Sequence, residues 1–405
     1  MKRASWPDVT GSLGPYAAGF RKELTRLGYS VWAASAHMYL MAHLSDWLDE
    51  REQGPAGLSS ALVDEFLADR RASGHVARLT RQGLAPLLGY LQSLELLPNE
   101  AAPGPEGPVG RLLAEFVEHL RTERGLAPRT TAGYLYISTL FLTSSAPEPG
   151  AEGCGLQRLG GAEVNAFLLS ECARRSVGSA NNVATALRTF LRFLHLRGYT
   201  AASLAECVPK GAAWRDSGRS KALGPADVAL LLASCDRRNG PGRRDFAILT
   251  VLARLGLRAN EVVCLRLEDL DWRAGELTVM SKGGHRDRLP VPVDVGRAIA
   301  EYCRRGRPHN GHRELFLHAR APYGGLSPDA VTKIVRQACR RAGLPPVGAH
   351  RLRHTAASDM RRAGAPLSEI GQVLRHKWVV TTALYAKDDL CALACIARPW
   401  PGGRP

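Results

Sequence analysis

The sequence predicts a mainly α-helical chain: tandem helical bundles, then a mixed α+β domain with a small β-hairpin. Three observations carry that reading. Apolar residues recur at helical intervals from Pro15 to Leu97 and again from Leu112 onward. Two segments without periodicity interrupt these runs. One stretch, Glu276 to Val293, alternates instead, which is the period of a half-buried strand. At 405 residues the chain is too long for one ordinary core, so two to four domains are expected.

In the first unit, residues 1–100, four helices are marked by Phe20, Leu24 and Leu27, then Met38, Met41, Leu44 and Trp47, then Leu62, Phe66 and Leu67, then Leu87, Tyr90, Leu91 and Leu94. A Gly/Pro-rich stretch follows, and residues 101–110 are read as a linker. Residues 111–207 then restart the pattern. Phe116 and Leu120 echo Phe20 and Leu24, Gly125 echoes Gly28, and Val164, Phe167 and Leu168 echo Val63, Phe66 and Leu67. Leu187, Phe190, Leu191 and Leu194 echo Leu87, Tyr90, Leu91 and Leu94, with the offset drifting only from about 96 to 101 residues. An internal duplication explains this; two unrelated bundles of similar length are the alternative.

A second joint, residues 208–222, is basic. Lys210, Arg215, Arg219 and Lys221 favour a strap that follows a phosphate backbone over a structureless connector, because such cations gain on contact with a polyanion. The third domain, residues 223–387, opens with a helix over Pro225–Ser234 and a buried apolar helix over Arg244–Leu255. Arg258 falls at the turn after it and Glu261 on the next helix. The alternating segment is a hairpin with Lys282 at its tip, a place where a lysine is usually solvated but from which it can also reach into a groove. Ser327 caps a helix running through Arg341.

The stretch from His350 to Tyr385 carries the chemistry. Leu352, Ala356 and Met360 recur helically, so His350 and Arg353, three apart, project from one helix face. After the break at Gly364 and Pro366, Leu367, Ile370 and Leu374 give a short helix with His376 just past its end, and Val379–Ala386 reads as a third helix carrying Tyr385. Arginine presents a planar fork of donors to phosphate oxygens, histidine moves protons near neutral pH, and a tyrosine hydroxyl is a nucleophile. Together these are the residue types that cut a phosphodiester without a metal. Taken singly each is more readily an ordinary core or surface side chain; taken together and in order, a shared phosphate target explains them better.

Composition agrees. The 54 Lys and Arg against 38 Asp and Glu give a net charge of +16, an excess read as spread over much of the chain, and this favours nucleic acid as partner. No apolar run is long enough to span a bilayer and the N-terminal residues lack a signal-peptide core, so a cytoplasmic protein is expected. Nine cysteines without a Cys-x-x-Cys pair indicate neither a disulfide framework nor a zinc site, and most are read as small core residues.

Residues from about 223 to 387 resemble the catalytic domain of the tyrosine recombinase (phage integrase) family, and residues 112–205 its helical, SAM-like core-binding domain. GLRANE at 256–261 resembles the first-arginine box, HRLRHT at 350–355 the His-x-x-Arg box, and LRHKWVVTTALYAK at 374–387 the box of the second histidine and the tyrosine. The resemblance implies that Arg258 and Arg353 clamp the scissile phosphate and that Tyr385 attacks it to form a 3′-phosphotyrosine. It implies further that Lys282 protonates the leaving 5′-oxygen, His350 assists proton transfer and His376 hydrogen-bonds the phosphate. No metal, ATP or other cofactor is implied. The implied partner is double-stranded DNA at specific sites, with a homo-tetramer assembled on it through the tail, residues 388–405. One departure stands out: Arg375 occupies a place where the family commonly has glycine, so it must adopt a different helix end or bear strain. A type IB-like topoisomerase and a DNA-binding architectural protein that has lost strand exchange are the competing readings.

Overall fold

The computed structural model describes residues 6–97, 107–145, 156–209, 222–280 and 285–375. It divides into two compact units, Pro98–Ser217 being one and Met1–Leu97 together with Gly218–Pro405 the other.

Residues 1–97 form α1 (Ala17–Arg26), α2 (Val31–Asp49), α3 (Ser60–Ala72) and α4 (Arg81–Ser93). The Ser30 and Ser59 hydroxyls accept from the N–H groups of Ala33 and Leu62, so α2 and α3 start where first-turn donors find side-chain oxygens. The core is the apolar set legible in the sequence: Phe20, Leu24, Met41, Leu44, Phe66, Leu87 and Leu91 are all essentially inaccessible. At its rim the Trp47 indole donates to Asp69 at 2.8 Å, and Arg51 both stacks on Trp47 and pairs with Asp69 at 2.8 Å.

The second unit contains α5 (Gly107–Thr122), α6 (Pro128–Ser145), α7 (Gly161–Arg174) and α8 (Val177–Leu196). Its core centres on Phe116, Phe141, Phe190 and Phe193. Helix α5 begins inside the stretch expected to be a linker; Pro108 sits in its first turn, where a missing N–H removes no helical hydrogen bond. Most echoed positions are buried in both bundles, though Leu94 is 42% exposed where Leu194 is buried. Phe20 packs on Tyr90 at 5.5 Å between ring centroids and Phe116 on Phe190 at 4.9 Å.

Residues 222–375 build the α+β part. Helix α9 (Pro225–Ala233) leads to α10 (Gly240–Leu255), which is buried along nearly its whole second half and runs through the middle of the core. At its start Arg244 and Asp245 form a buried ion pair at 2.7 Å. Helix α11 (Ala259–Cys264) follows, then three antiparallel strands in the order β1 (Leu270–Asp271), β2 (Glu276–Met280), β3 (Arg286–Pro290). Opposed Leu277 and Leu289 turn the sheet's apolar face inward. The hairpin is the one expected; its tip, with Lys282, lies outside the described residues. Helix α12 (Val293–Arg305), unassigned from the sequence, packs Val295, Ala298, Ile299 and Tyr302 into the same core as α10. Helix α13 (Pro328–Arg341) is capped by Ser327 as expected, its hydroxyl accepting from Ala330 N–H at 3.1 Å. Helices α14 (Ala349–Arg362) and α15 (Leu367–Val373) close the described chain.

One expectation changes. The charge excess is not spread: residues 1–97 hold ten Lys and Arg against ten Asp and Glu, whereas residues 218–405 hold 32 against 17. Most of the described cysteines do belong to a core, Cys235 and Cys339 within it and Cys207 and Cys303 packed against one. Of the six described, all free, Cys235 and Cys339 are buried while Cys172 and Cys264 are exposed.

Candidate active site

Helix α10 ends on Gly256, whose φ of +58° turns the chain sharply out of the core. A Cβ there would stand 2.6 Å from the Leu374 side chain and 3.3 Å from that of Ala356, so glycine is required by both conformation and space. Two residues later Arg258 is the N-cap of α11, and Glu261 lies three residues beyond. That spacing lets the Glu261 carboxylate reach back to the Arg258 N–H at 2.8 Å, satisfying a first-turn donor. The other carboxylate oxygen accepts from the Arg258 guanidinium at 2.6 Å.

Helix α14 brings the second arginine to the same place. Arg353 is 1% exposed; its Nη1 donates to Gly256 O at 2.6 Å and its Nη2 to Leu374 O. Its nearest approach to Glu261 is 3.9 Å, beyond a hydrogen bond. Arg258 and Arg353, 95 residues apart in sequence, therefore converge on one carboxylate. His350 lies one turn before Arg353 on α14, exposed where Arg353 is buried, with its ring edge-on to His354 at 4.6 Å. The protein atoms crowding His350, and after them the charges of Arg353 and Arg258, hold its pKa below the usual histidine value, which favours the neutral ring at pH 7.

A third arginine enters from the end of α15. Arg375 has a φ of +55°, so the chain keeps the left-handed turn and bears the strain that a side chain adds there, about 1–2 kcal/mol. Its Nη2 donates to Glu261 at 2.7 Å and its Nη1 to Val373 O at 3.0 Å, while its carbonyl accepts from Arg258 Nη2 at 3.4 Å. Burial alone would raise the Glu261 pKa; the Arg375 charge and the Arg258 hydrogen bonds outweigh it and hold the carboxyl below its ordinary value. The described contacts set three guanidinium groups against one carboxylate, an excess of positive charge suited to a phosphate.

Of the sequence-predicted site residues, Arg258, His350 and Arg353 come together here. Lys282, His376, Tyr385 and the basic joint with Lys210, Arg215, Arg219 and Lys221 lie outside the described residues. Glu261 and Arg375 were not read as site residues. The Arg-x-x-Glu spacing of a capping box was the available signal for Glu261; nothing in the sequence tied Arg375 to it, 114 positions away. A separate cavity of about 350 Å³, lined by Arg244, Tyr302, Arg305 and His318, lies near the opposite end of α10.

A helical scaffold that brings two arginines and a histidine together suits a class, that of enzymes acting on phosphodiesters. The comparisons narrow it. Residues 221–390 match the model described as "Phage integrase family". The chain is 37% identical over 396 residues to "Putative integrase/recombinase y4rA" of Sinorhizobium fredii, covering 97% of this chain and 95% of that protein. It is also 29% identical over 309 residues to the tyrosine recombinase XerD of Mycobacterium tuberculosis, covering 72% of this chain and 97% of XerD. Among solved structures, a lambda integrase tetramer bound to a Holliday junction matches with a TM-score of 0.55 at 14% identity, over 79% of this chain and 88% of that one. XerH bound to a palindromic difH substrate matches with a TM-score of 0.54 at 17% identity, over 82% and 94%. These two matches speak to the fold. The chain belongs to the phage integrase family of site-specific tyrosine recombinases, which break and rejoin DNA strands.

Proposed function

We propose that this recombinase cleaves one DNA strand at a time with Tyr385 as nucleophile. The observation that supports the reading best is the convergence of Arg258 and Arg353 on Glu261, which leaves guanidinium charge in excess beside His350. The arginines bind the non-bridging oxygens and offset the charge that grows as the phosphorus becomes five-coordinate. Tyr385 forms the 3′-phosphotyrosine, Lys282 protonates the departing 5′-oxygen, His350 assists proton transfer and His376 hydrogen-bonds the phosphate. A 5′-hydroxyl from another strand then reverses the step, so bond energy is conserved. Cleavage and joining proceed in the cytoplasm on double-stranded DNA. A tetramer forms on two sites, each protomer's residues 388–405 docking on its neighbour, and the basic joint with Lys210, Arg215, Arg219 and Lys221 tracks the phosphate backbone.

The first bundle fits a different task from gripping DNA. Its charge is balanced, and several of its cations are engaged internally: Arg26 with Glu23, Arg51 with Asp69, Arg81 with Asp64, and Arg21 over the Trp6 ring. We read residues 1–97 as an arm for protein contacts.

The decisive experiment uses a nicked duplex made from sequence flanking the coding region, so that a cleaved strand cannot be rejoined. A covalent protein–DNA adduct that vanishes in Tyr385→Phe while binding persists is expected. An adduct retained by that variant refutes the assignment. Relaxation of a plasmid lacking any such site would favour the topoisomerase reading.

A further inference from the structure

We propose that Arg375 is a positioning residue for strand cleavage: by sharing Glu261 with Arg258 from a left-handed turn, and by accepting from Arg258 at its own carbonyl, it sets where the Arg258 guanidinium points. This rests on the phosphodiester reading of the site given above.

The backbone supplies the first reason. Within the same part of the chain, α10, α13 and α14 are each followed by a left-handed glycine, Gly256, Gly343 and Gly364, with φ of +58°, +70° and +90°. At the end of α15 the same kind of turn is made by an arginine at +55°. Glycine makes such a turn with least strain, yet Glu52, Arg78 and Glu95 also adopt it, with φ of +54°, +53° and +56°; what sets Arg375 apart is what its side chain touches.

Those contacts converge on the site. The Arg375 side chain is 5% exposed and its Nη2 lies 2.7 Å from Glu261 Oε2. The same oxygen accepts from the Arg258 N–H at 2.8 Å and stands 3.9 Å from Arg353 Nη1. Arg375 therefore shares this carboxylate with Arg258 at hydrogen-bond distance, with Arg353 farther out. The Arg375 carbonyl also accepts from Arg258 Nη2 at 3.4 Å, so both ends of this residue bear on the Arg258 side chain.

The test compares full-length wild type, Arg375→Gly and Arg375→Lys on the nicked duplex, measuring single-turnover adduct formation, DNA binding and thermal melting. Arg375→Gly removes the guanidinium and relieves the turn. It is expected to melt within a few degrees of wild type and to bind DNA within about threefold. Its cleavage rate falls roughly 10- to 100-fold, an effect the size of other losses of charge positioning. Added guanidinium ion restores part of the rate, whereas sodium at equal ionic strength does not; a merely structural role would show no such rescue. Arg375→Lys, which keeps a charge without the fork, falls between the two. Cleavage by Arg375→Gly at or above the wild-type rate overturns the proposal while leaving Tyr385 chemistry intact. A wild type that forms no Tyr385-dependent adduct removes the reading beneath it as well.

Discussion

Replacing Glu261 by glutamine keeps the shape of the side chain and removes the negative charge that Arg258, Arg353 and Arg375 share. Two of these guanidinium groups are almost wholly enclosed, Arg353 at 1% and Arg375 at 5% side-chain exposure, against 3% for Glu261 itself. Water can screen neither. The Arg258 side chain is 38% exposed, so its share is small by comparison. Removing one partner of a buried pair costs about 3–5 kcal/mol, mainly because the remaining charge stays enclosed without compensation. For a domain of this size that is a fall in melting temperature of roughly 10 °C. Urea or thermal unfolding of Glu261→Gln measures it. The double variant with Arg375→Gly should recover part of the loss, since the stranded cation is gone, giving a coupling of about 2 kcal/mol in the cycle. A Glu261→Gln protein within ~1 kcal/mol of wild type, or a strictly additive double variant, would refute the view that this carboxylate compensates buried charge.

Other outcomes follow from the same geometry. Because Glu261 has a lowered pKa, its contribution is complete above about pH 4.5 and drains away as pH falls through the depressed value; melts from pH 6 to 3 should be flatter at the acid end in Glu261→Gln. His37 in the first bundle is 7% exposed and its pKa is lowered to about 4, chiefly by burial. The unfolded chain therefore binds the extra proton first, and stability drops by about 3 kcal/mol as pH falls from 6.5 to 4. Unfolding of His37→Gln across that range should lack this slope. If His350 acts as a neutral ring, cleavage should hold steady through pH 6.5 and decline only below it; an acid limb centred above 6.5 in the single-turnover profile would contradict its lowered pKa. Thr355→Val strips the hydroxyl that accepts from the Leu223 N–H at 2.9 Å and should destabilise by about 1–2 kcal/mol in urea melts. Alanine at Lys22, an exposed cation of the balanced first bundle, should leave the salt dependence of DNA binding unchanged, whereas a reduced slope would show that this bundle touches phosphates.

Much of this was legible in the sequence, for identifiable reasons. Apolar spacing read out α10 and α14 because their buried residues recur at helical intervals, and the end of the α10 pattern put Arg258 at a turn. Helix α12 was missed although Val295, Ala298, Ile299 and Tyr302 follow helical spacing, since the charged residues between them lower the apolar density. A two-residue strand such as β1 is too short to carry a period. The carbonyl partners of Arg353 could not be foreseen, as Gly256 lies 97 residues away and a main-chain oxygen leaves no mark in a sequence. The concentration of charge in residues 218–405 could have been found by counting segment by segment. Arg375 posed a choice between a different helix end and a strained one, and only the tertiary pairing with Glu261 decides it.

The acceptors that seat Arg353, and one of those facing Arg258, belong to the peptide groups of Gly256, Leu374 and Arg375. Peptide oxygens are supplied by every amino acid, so side chains at such places can drift without erasing the seats, provided the path of the chain is kept. An engineer retargeting this enzyme would do well to diversify surfaces elsewhere and leave the bend at position 256 untouched. There the geometry is written in the backbone, and any added methyl group would push apart the two segments that cradle the cations.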